Sequence, residues 1–177
     1  MELPSEKYTS SRYLEDNPTW DREDSAWKVE LVFSMLARNG LKPSKIVEVG
    51  CGAADILTGL RQKYPVADLV GYDIAPDASR FWSAHQGKNI TLRIGDFLTQ
   101  DVDHYDVLLL LDVMEHIVDP FSFLKALHGR ANYYIFHIPL DLSAFSVLRE
   151  IPLLHSRNKV GHIHYFTKGL AISLLEE

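Results

Sequence analysis

From residue 45 onward, short apolar or β-branched runs alternate with stretches of helical period. Ile46 to Val49 is the first run, and glycines follow it before a helical segment that ends at Tyr64-Pro65. Asp68 to Asp73 forms the second, and a helix is expected to begin near Pro76. Ile90, Leu92 and Ile94 alternate with polar residues as a third strand. Val107 to Leu111 is unbroken by any polar residue, the pattern of a central strand covered on both faces. Asp119-Pro120 marks a helix start, with a side-chain cap and then proline in the first turn. Tyr133 to Ile138 is the fifth strand, and Thr167 caps a last amphipathic helix, L-A-I-S-L-L-E-E. Strands that alternate with helices in this way pair in parallel through right-handed crossovers, which gives a doubly wound α/β sheet.

Ahead of this region the spacing predicts one more helix. Asp21 is its expected N-cap, Trp27, Leu31 and Met35 repeat at i, i+4 and i+8, and Gly40 ends it. Trp27 is expected to pack that helix on the sheet. Residues 1–20 are polar with scattered aromatics and read as an arm or lid, with residues 21–177 as the single domain.

Composition narrows the function classes. A chain of 177 residues suits one domain, and its lone cysteine, Cys51, cannot pair internally. A reducing, cytoplasmic setting is the default expectation. The formal charge of −6 comes without any basic stripe, so nucleic-acid binding is not expected. No apolar run reaches the ~20 residues that a membrane span needs. A small molecule or another protein is the expected partner.

The most informative stretch is I-V-E-V-G-C-G-A-A-D, residues 46–55. Gly50 and Gly52 let a strand turn sharply into a helix, so that a ligand can lie against the backbone. Asp73 closes the second strand, where a carboxylate can accept from both ribose hydroxyls of an adenosine. Nicotinamide cofactors share that geometry. A pyrophosphate turn, however, wants a small third residue where Asp55 stands, and it would gain nothing from Glu48. A cationic sulfonium cofactor tolerates the acid, which disfavours a nicotinamide oxidoreductase.

These residues carry a family resemblance. E-V-G-C-G resembles motif I of the class I S-adenosylmethionine-dependent methyltransferases. Gly71-Tyr72-Asp73-Ile74 resembles the end of their second strand, and Gly95-Asp96-Phe97 their acidic turn after strand three. Asp106 to His116 resembles motif IV of the small-molecule branch. The resemblance covers roughly residues 25–175, with Ala54 where the third glycine of motif I usually stands. It implies a Rossmann-like sheet of five parallel strands in the order 3-2-1-4-5, with S-adenosylmethionine as cofactor and a small-molecule acceptor. By that resemblance Glu48, Gly50, Cys51 and Gly52 line the methionine and ribose side. Asp73 takes the ribose, Ile74 packs on the adenine, Asp96 and Phe97 lie at its far edge, and Asp112 sits near the methionine.

Asp112, Glu115, His116, His137 and Asp141 all follow apolar strands and can face the crevice at the carboxyl ends. His116 and His137 are the candidate bases, since imidazole titrates in the useful range. Each also has a plainer reading, His116 as a packing residue and His137 as a hydrogen-bonded core residue. Glu115 reads equally as an exposed carboxylate at a helix start. His155, His162 and His164 raise the question of a metal, but no further ligand follows at a convincing spacing, and no metal site is expected. G-H-I-H-Y-F-T resembles the family segment that approaches the substrate. Tyr8, Tyr13, Trp20 and Trp27 are candidates for a cover over the acceptor pocket. Cys51 contributes backbone and is not read as a nucleophile.

The family's C-terminal antiparallel hairpin has no counterpart here. The expectation is a truncated end, or a homodimer formed through the exposed sheet edge or the C-terminal region. A catalytically silent cofactor-binding or regulatory domain of the same fold is the alternative to an enzyme.

Overall fold

A computed structural model describes residues 6–85 and 89–176, so the first five residues of the expected arm lie outside the described residues. Five strands make one parallel sheet: β1 (Lys45–Val49), β2 (Asp68–Asp73), β3 (Ile90–Ile94), β4 (Tyr105–Leu111) and β5 (Ala131–His137). Their order is β3-β2-β1-β4-β5, as expected. Chain direction across the sheet reverses between β1 and β4, and this opens a crevice beyond their carboxyl ends.

Alternation along the strands divides the core in two. Ile46, Leu69, Val107, Leu109 and Ile135 point to one face, where they meet α3 (Ser25–Arg38) and α4 (Asp55–Lys63). Val47, Val70, Leu108 and Leu110 point to the other. There they meet Phe97 of α5 (Phe97–Gln100), Leu127 of α6 (Pro120–Leu127), and Ala171 and Leu174 of α9 (Lys168–Glu176). Pairing runs in register from Tyr105↔Ala131 to Leu111↔His137, which sets the end of β5 beside the residue that follows β4. Asp119 caps α6 by accepting from the Ser122 amide, and Thr167 accepts from Leu170 at the start of α9.

Three expectations need correction. The buried stripe of α3 is Val29, Val32 and Leu36, whereas Trp27, Leu31 and Met35 are 55%, 40% and 49% exposed. The reason lies in α4: Gly59 has no side chain, so Val29 seats directly against its backbone. The bulkier stripe could not approach so closely. Trp27 is therefore not in the buried contact between helix and sheet, and its half-exposed ring meets β5 only at its end, edge-on to His137 at 5.6 Å. Asp21 is not the N-cap either. It sits at φ +50° before a 3-10 turn, Arg22–Asp24, and accepts from Tyr13 and Asn17.

Ahead of that turn the arm folds as α1 (Glu6–Thr9) and α2 (Arg12–Asp16), and Lys7 ties it to Asp16 and to the carbonyl of Asn158. The segment between β5 and α9 forms two helices that the sequence pattern did not indicate, α7 (Ala144–Arg149) and α8 (Ile151–Lys159). Among the described residues β5 pairs with β4 alone, and no helix is long and apolar enough to cross a membrane.

The α3–α4 contact makes a direct prediction. A Cβ on Gly59 would lie 2.5 Å from Val29 Cγ2. Gly59→Ala is expected to cost about 1–3 kcal/mol by overpacking, despite alanine's better helix propensity. Thermal denaturation should show the lowered midpoint, and adding Val29→Ala should restore part of it.

Candidate functional site

A cavity of about 770 Å³ opens where β1, β2 and β4 end, with the arm across it. Its floor is the turn after β1. The amides of Gly50 and Cys51 both donate to the carbonyl of Tyr72, at 2.8 and 2.9 Å, tying the turn to β2. Gly52 lies at φ +48° and donates to Asp73 Oδ2 at 2.7 Å, while Asp73 Oδ1 accepts from the Ala75 amide at 2.8 Å. Trp82 Nε1 donates to the Gly52 carbonyl and His85 Nε2 to that of Ala53, each at 2.8 Å. Ala54, in place of the usual glycine, adopts φ +64°, a left-handed backbone that costs a residue with a Cβ about 1 kcal/mol.

Three aromatic residues of the arm reach this cavity. Tyr8, Tyr13 and Trp20 line the cavity; Trp27 does not. Trp20 lies so close to Gly52 that a Cβ there would meet its Nε1 at 2.8 Å. Arg22 grips Asp55 at the start of α4 through two hydrogen bonds, at 2.5 and 3.1 Å. The sequence signals for Asp55 and Trp20 were thus read separately, but their positions join arm to turn.

All nine residues suggested for the cofactor line this one cavity: Glu48, Gly50, Cys51, Gly52, Asp73, Ile74, Asp96, Phe97 and Asp112. Their environments differ. Glu48 is buried, its Oε2 has no hydrogen-bond partner, and burial followed by the charge of Asp73 pushes its carboxyl well above the usual range. Burial also raises Asp73, against the lowering effect of its two amide donors. The Cys51 thiol is pushed up by burial, so it stays protonated at neutral pH. Asp96 caps α5 by accepting from the Leu98 amide, and Ile74 is exposed to the opening. Phe97 is largely core, packed edge-on to Tyr72 at 5.4 Å.

Beyond β4 and β5 stands a charged group. Asp112, at φ +57°, accepts from His137 Nδ1 at 2.5 Å through one oxygen and from Lys28 Nζ at 2.5 Å through the other. Burial pushes its carboxyl up, but these two donors outweigh it and hold the group below the ordinary value. With Nδ1 donating, His137 presents the lone pair of Nε2.

The other imidazoles gather on the far side. Tyr8 donates its hydroxyl to the Val160 carbonyl at 2.6 Å, so it must accept from His116 Nδ1, 2.8 Å away. The Gly161 carbonyl, 3.2 Å from the same nitrogen, requires the same tautomer. Burial lowers His116 to about 4, which keeps it neutral. Glu115 is not an exposed helix-start carboxylate: it is buried, neither oxygen has a hydrogen-bond partner, and burial pushes it up to about 8. Its backbone carbonyl accepts from the amides of Ile163 and His164, which brings the 161–164 segment alongside. His162 then faces Glu115, its Nδ1 held by Asp141 Oδ2 at 2.7 Å. His164 turns away to the Ile117 carbonyl, and His155 is exposed on α8. Asp141 itself is not part of the cavity wall.

Residues 22–176 match the model of a methyltransferase domain family. Curated relatives include a ubiquinone biosynthesis O-methyltransferase of Acinetobacter baumannii (strain AYE), 32% identical over 94 residues, which are 49% of this chain and 39% of the relative. Another, from Bordetella avium (strain 197N), is 26% identical over 106 residues, 56% of this chain and 41% of the relative. The matched region thus spans about two fifths of those relatives' length. Among solved structures, the plantazolicin methyltransferase BpumL in complex with S-adenosylhomocysteine superposes with a TM-score of 0.74 at 19% identity, covering 98% of this chain and 72% of that one. Coclaurine N-methyltransferase, bound to N-methylheliamine and S-adenosylhomocysteine, gives 0.52 at 16% identity over 66% and 35% of the two chains. At such identities these structures speak for the fold.

The buried Glu48 carboxyl has a measurable consequence. Its folded value lies above the ordinary carboxylate value of about 4.3, so its contribution to stability is full below that pH and declines as pH rises. Glu48→Gln removes this decline. Urea unfolding should show the variant gaining stability over the parent between pH 5 and pH 8, with little difference at pH 4.

Proposed function

The chain belongs to the methyltransferase domain family, within the class I S-adenosylmethionine-dependent enzymes, and on that premise we propose that it methylates a hydroxyl of a small-molecule acceptor. The observation that carries the reading is the Asp73 carboxylate. Two backbone amides fix it at the rim of the glycine turn, and each oxygen keeps a second lone pair for a ribose hydroxyl. The residues present also fit the rest of the cofactor. Ile74 and Asp96 flank the adenine position, and Gly50 and Gly52 admit the chain close to the backbone. The unpartnered oxygen of Glu48 lies where the cationic methionine end would come.

When bound, S-adenosylmethionine supplies an electrophilic methyl group on a sulfonium. The protein's share is alignment and proton removal. Alignment in a closed cavity supplies a large part of the rate for an in-line displacement. With the cofactor bound, His137 Nε2 would take the acceptor hydroxyl's proton. Asp112 steadies the resulting imidazolium through Nδ1, and Lys28 keeps Asp112 ionised. His116, neutral and poorly basic, is better suited to hold the acceptor than to take its proton. The choice of oxygen rests on the named activity of the curated relatives, together with this histidine–aspartate pair. Of the described residues, 6–20 would serve as a cover whose Tyr8, Tyr13 and Trp20 lie over the cavity, and those from 21 onward would form the cofactor domain.

Calorimetry with S-adenosylhomocysteine tests the cradle. The parent should bind it and not NAD, and Asp73→Asn should weaken binding at least about tenfold, with an unchanged circular dichroism spectrum. Absence of binding by the parent would sink the assignment. Turnover on a panel of hydroxylated acceptors tests the chemistry: His137→Gln should lower kcat by about 10²–10⁴ while leaving cofactor affinity intact. A cofactor binder with no turnover on any acceptor would instead fit a silent, regulatory domain.

A further inference from the structure

Glu115, His116 and His162 each offer one ligand atom, and these atoms all lie within 4.8 Å of one another. Glu115 Oε1 is 3.8 Å from His116 Nε2 and 3.9 Å from His162 Nε2. Ligands about 2.1 Å from a tetrahedral ion stand about 3.4 Å apart, so Glu115 Oε1 need approach each imidazole by only a few tenths of an ångström, and the widest pair must close by at most about 1.4 Å. The two histidines come from different parts of the chain. The backbone hydrogen bonds from Ile163 and His164 to the Glu115 carbonyl bring them together.

Both imidazoles are held with the same nitrogen inward. His116 Nδ1 donates toward Tyr8 and Gly161, and His162 Nδ1 to the Asp141 carboxylate. Each therefore turns a lone pair of Nε2 toward Glu115. A carboxylate or carbonyl behind each ligating imidazole is the usual outer support of a metal-bound histidine, and it raises the ligand's basicity.

Glu115 supplies a second, independent observation. Its side chain is 1% exposed, yet neither oxygen has a hydrogen-bond partner. A buried carboxyl left without donors costs several kcal/mol in an apolar medium, and such groups in native proteins call for a missing partner. The groups nearest to Glu115 Oε1 at ion-pair range are imidazole nitrogens that already have their protons elsewhere. A cation between the three would satisfy Glu115 Oε1 and the Nε2 lone pair of each imidazole.

We propose that Glu115, His116 and His162 form a site for a divalent transition metal, with zinc as the type ion, whose open positions bind the acceptor hydroxyl. Two imidazoles and one carboxylate leave a position free on zinc, and all three residues line the same cavity as the glycine turn. A hydroxyl held there loses its proton more readily, because the cation stabilises the alkoxide or phenoxide. The acceptor role rests on the methyltransferase reading above; the ion site itself does not.

Zinc titration of the metal-stripped full chain tests the site, followed by calorimetry and by the visible spectrum of cobalt(II) as a substitute. One ion per chain should bind, with cobalt bands of tetrahedral intensity. Glu115→Gln and His162→Ala should each weaken binding at least about tenfold, and Asp141→Asn about 10–100-fold. His155→Ala, on exposed α8, should leave it unchanged. Substoichiometric binding, or affinity indifferent to Glu115→Gln and His162→Ala in variants with parental melting midpoints, would overturn the proposal. Glu115→Gln is isosteric and keeps the test open should His162→Ala fail to fold. S-adenosylhomocysteine binding measured in the same samples separates the two readings. A parent chain that binds the cofactor but no metal refutes the ion site alone, and one that binds metal but no cofactor refutes the methyltransferase cradle alone.

Discussion

A single carboxylate links the two halves of the cavity floor. Asp73 ends β2, accepts from the Gly52 amide across the gap to β1, and accepts again from Ala75 on its own chain. The Gly50 and Cys51 amides return the connection to the carbonyl of Tyr72. Parallel strands make no turn with each other, so side chains and stray backbone groups must fix how the loop after β1 sits against its neighbour. Here the same atoms that fix it form the proposed ribose site. The carbonyls of Gly52 and Ala53, which no ladder can satisfy, are taken by Trp82 and His85 from the 3-10 segment Pro76–His85. A loop satisfied in this way keeps its shape without a ligand, which lowers the ordering cost of binding one.

Acidity around the cavity has a common logic. Glu48, Asp73 and Glu115 are all buried, and burial raises all three carboxyls. Asp112 is the exception, because the side-chain donors His137 and Lys28, the latter charged, outweigh its burial, as the two backbone amides on Asp73 do not. A protein gains no stability by withdrawing carboxyls from water without partners. The arrangement makes sense if cationic guests complete it, a sulfonium on the Glu48 side and a metal ion on the Glu115 side. The two guests would then meet at one acceptor oxygen, the sulfonium delivering the methyl group to it and the metal ion holding it.

The strands were legible because burial on both faces leaves a run such as Val107 to Leu111 with no polar residue, and the sheet order followed from the family resemblance. Gly50, Gly52 and Asp73 were legible because a turn against a ligand restricts residue type. The buried face of α3 was not. Two apolar stripes run along it, and the choice between them depended on Gly59, in a different helix. Lys28, Trp82 and His85 act through single contacts formed only when distant segments meet, and no local period marks them. The pairing of Asp112 with His137 is intermediate: it follows from the register Leu111↔His137, once that register is known. The proposed metal set has no local signature, because only His162 of its three ligands lies in the H-x-H of residues 162–164. The other two proposed ligands lie more than forty positions earlier, and His164, two residues on, is taken by the Ile117 carbonyl.

The arm ties these parts together. Tyr8 is the residue that obliges His116 to donate from Nδ1, because the hydroxyl's own proton is committed to Val160. Trp20 lies on Gly52 over the proposed cofactor turn, and Arg22 anchors the segment between them to Asp55. Closing the cover therefore does more than exclude water. One end of it meets the backbone where the cofactor's chain would lie, and the other orients the imidazole that would hold the acceptor. A segment that carries no strand of the sheet thus bears on both substrates at once, and without it the Gly161 carbonyl, 3.2 Å away, would be left to hold His116 in that tautomer without help from Tyr8.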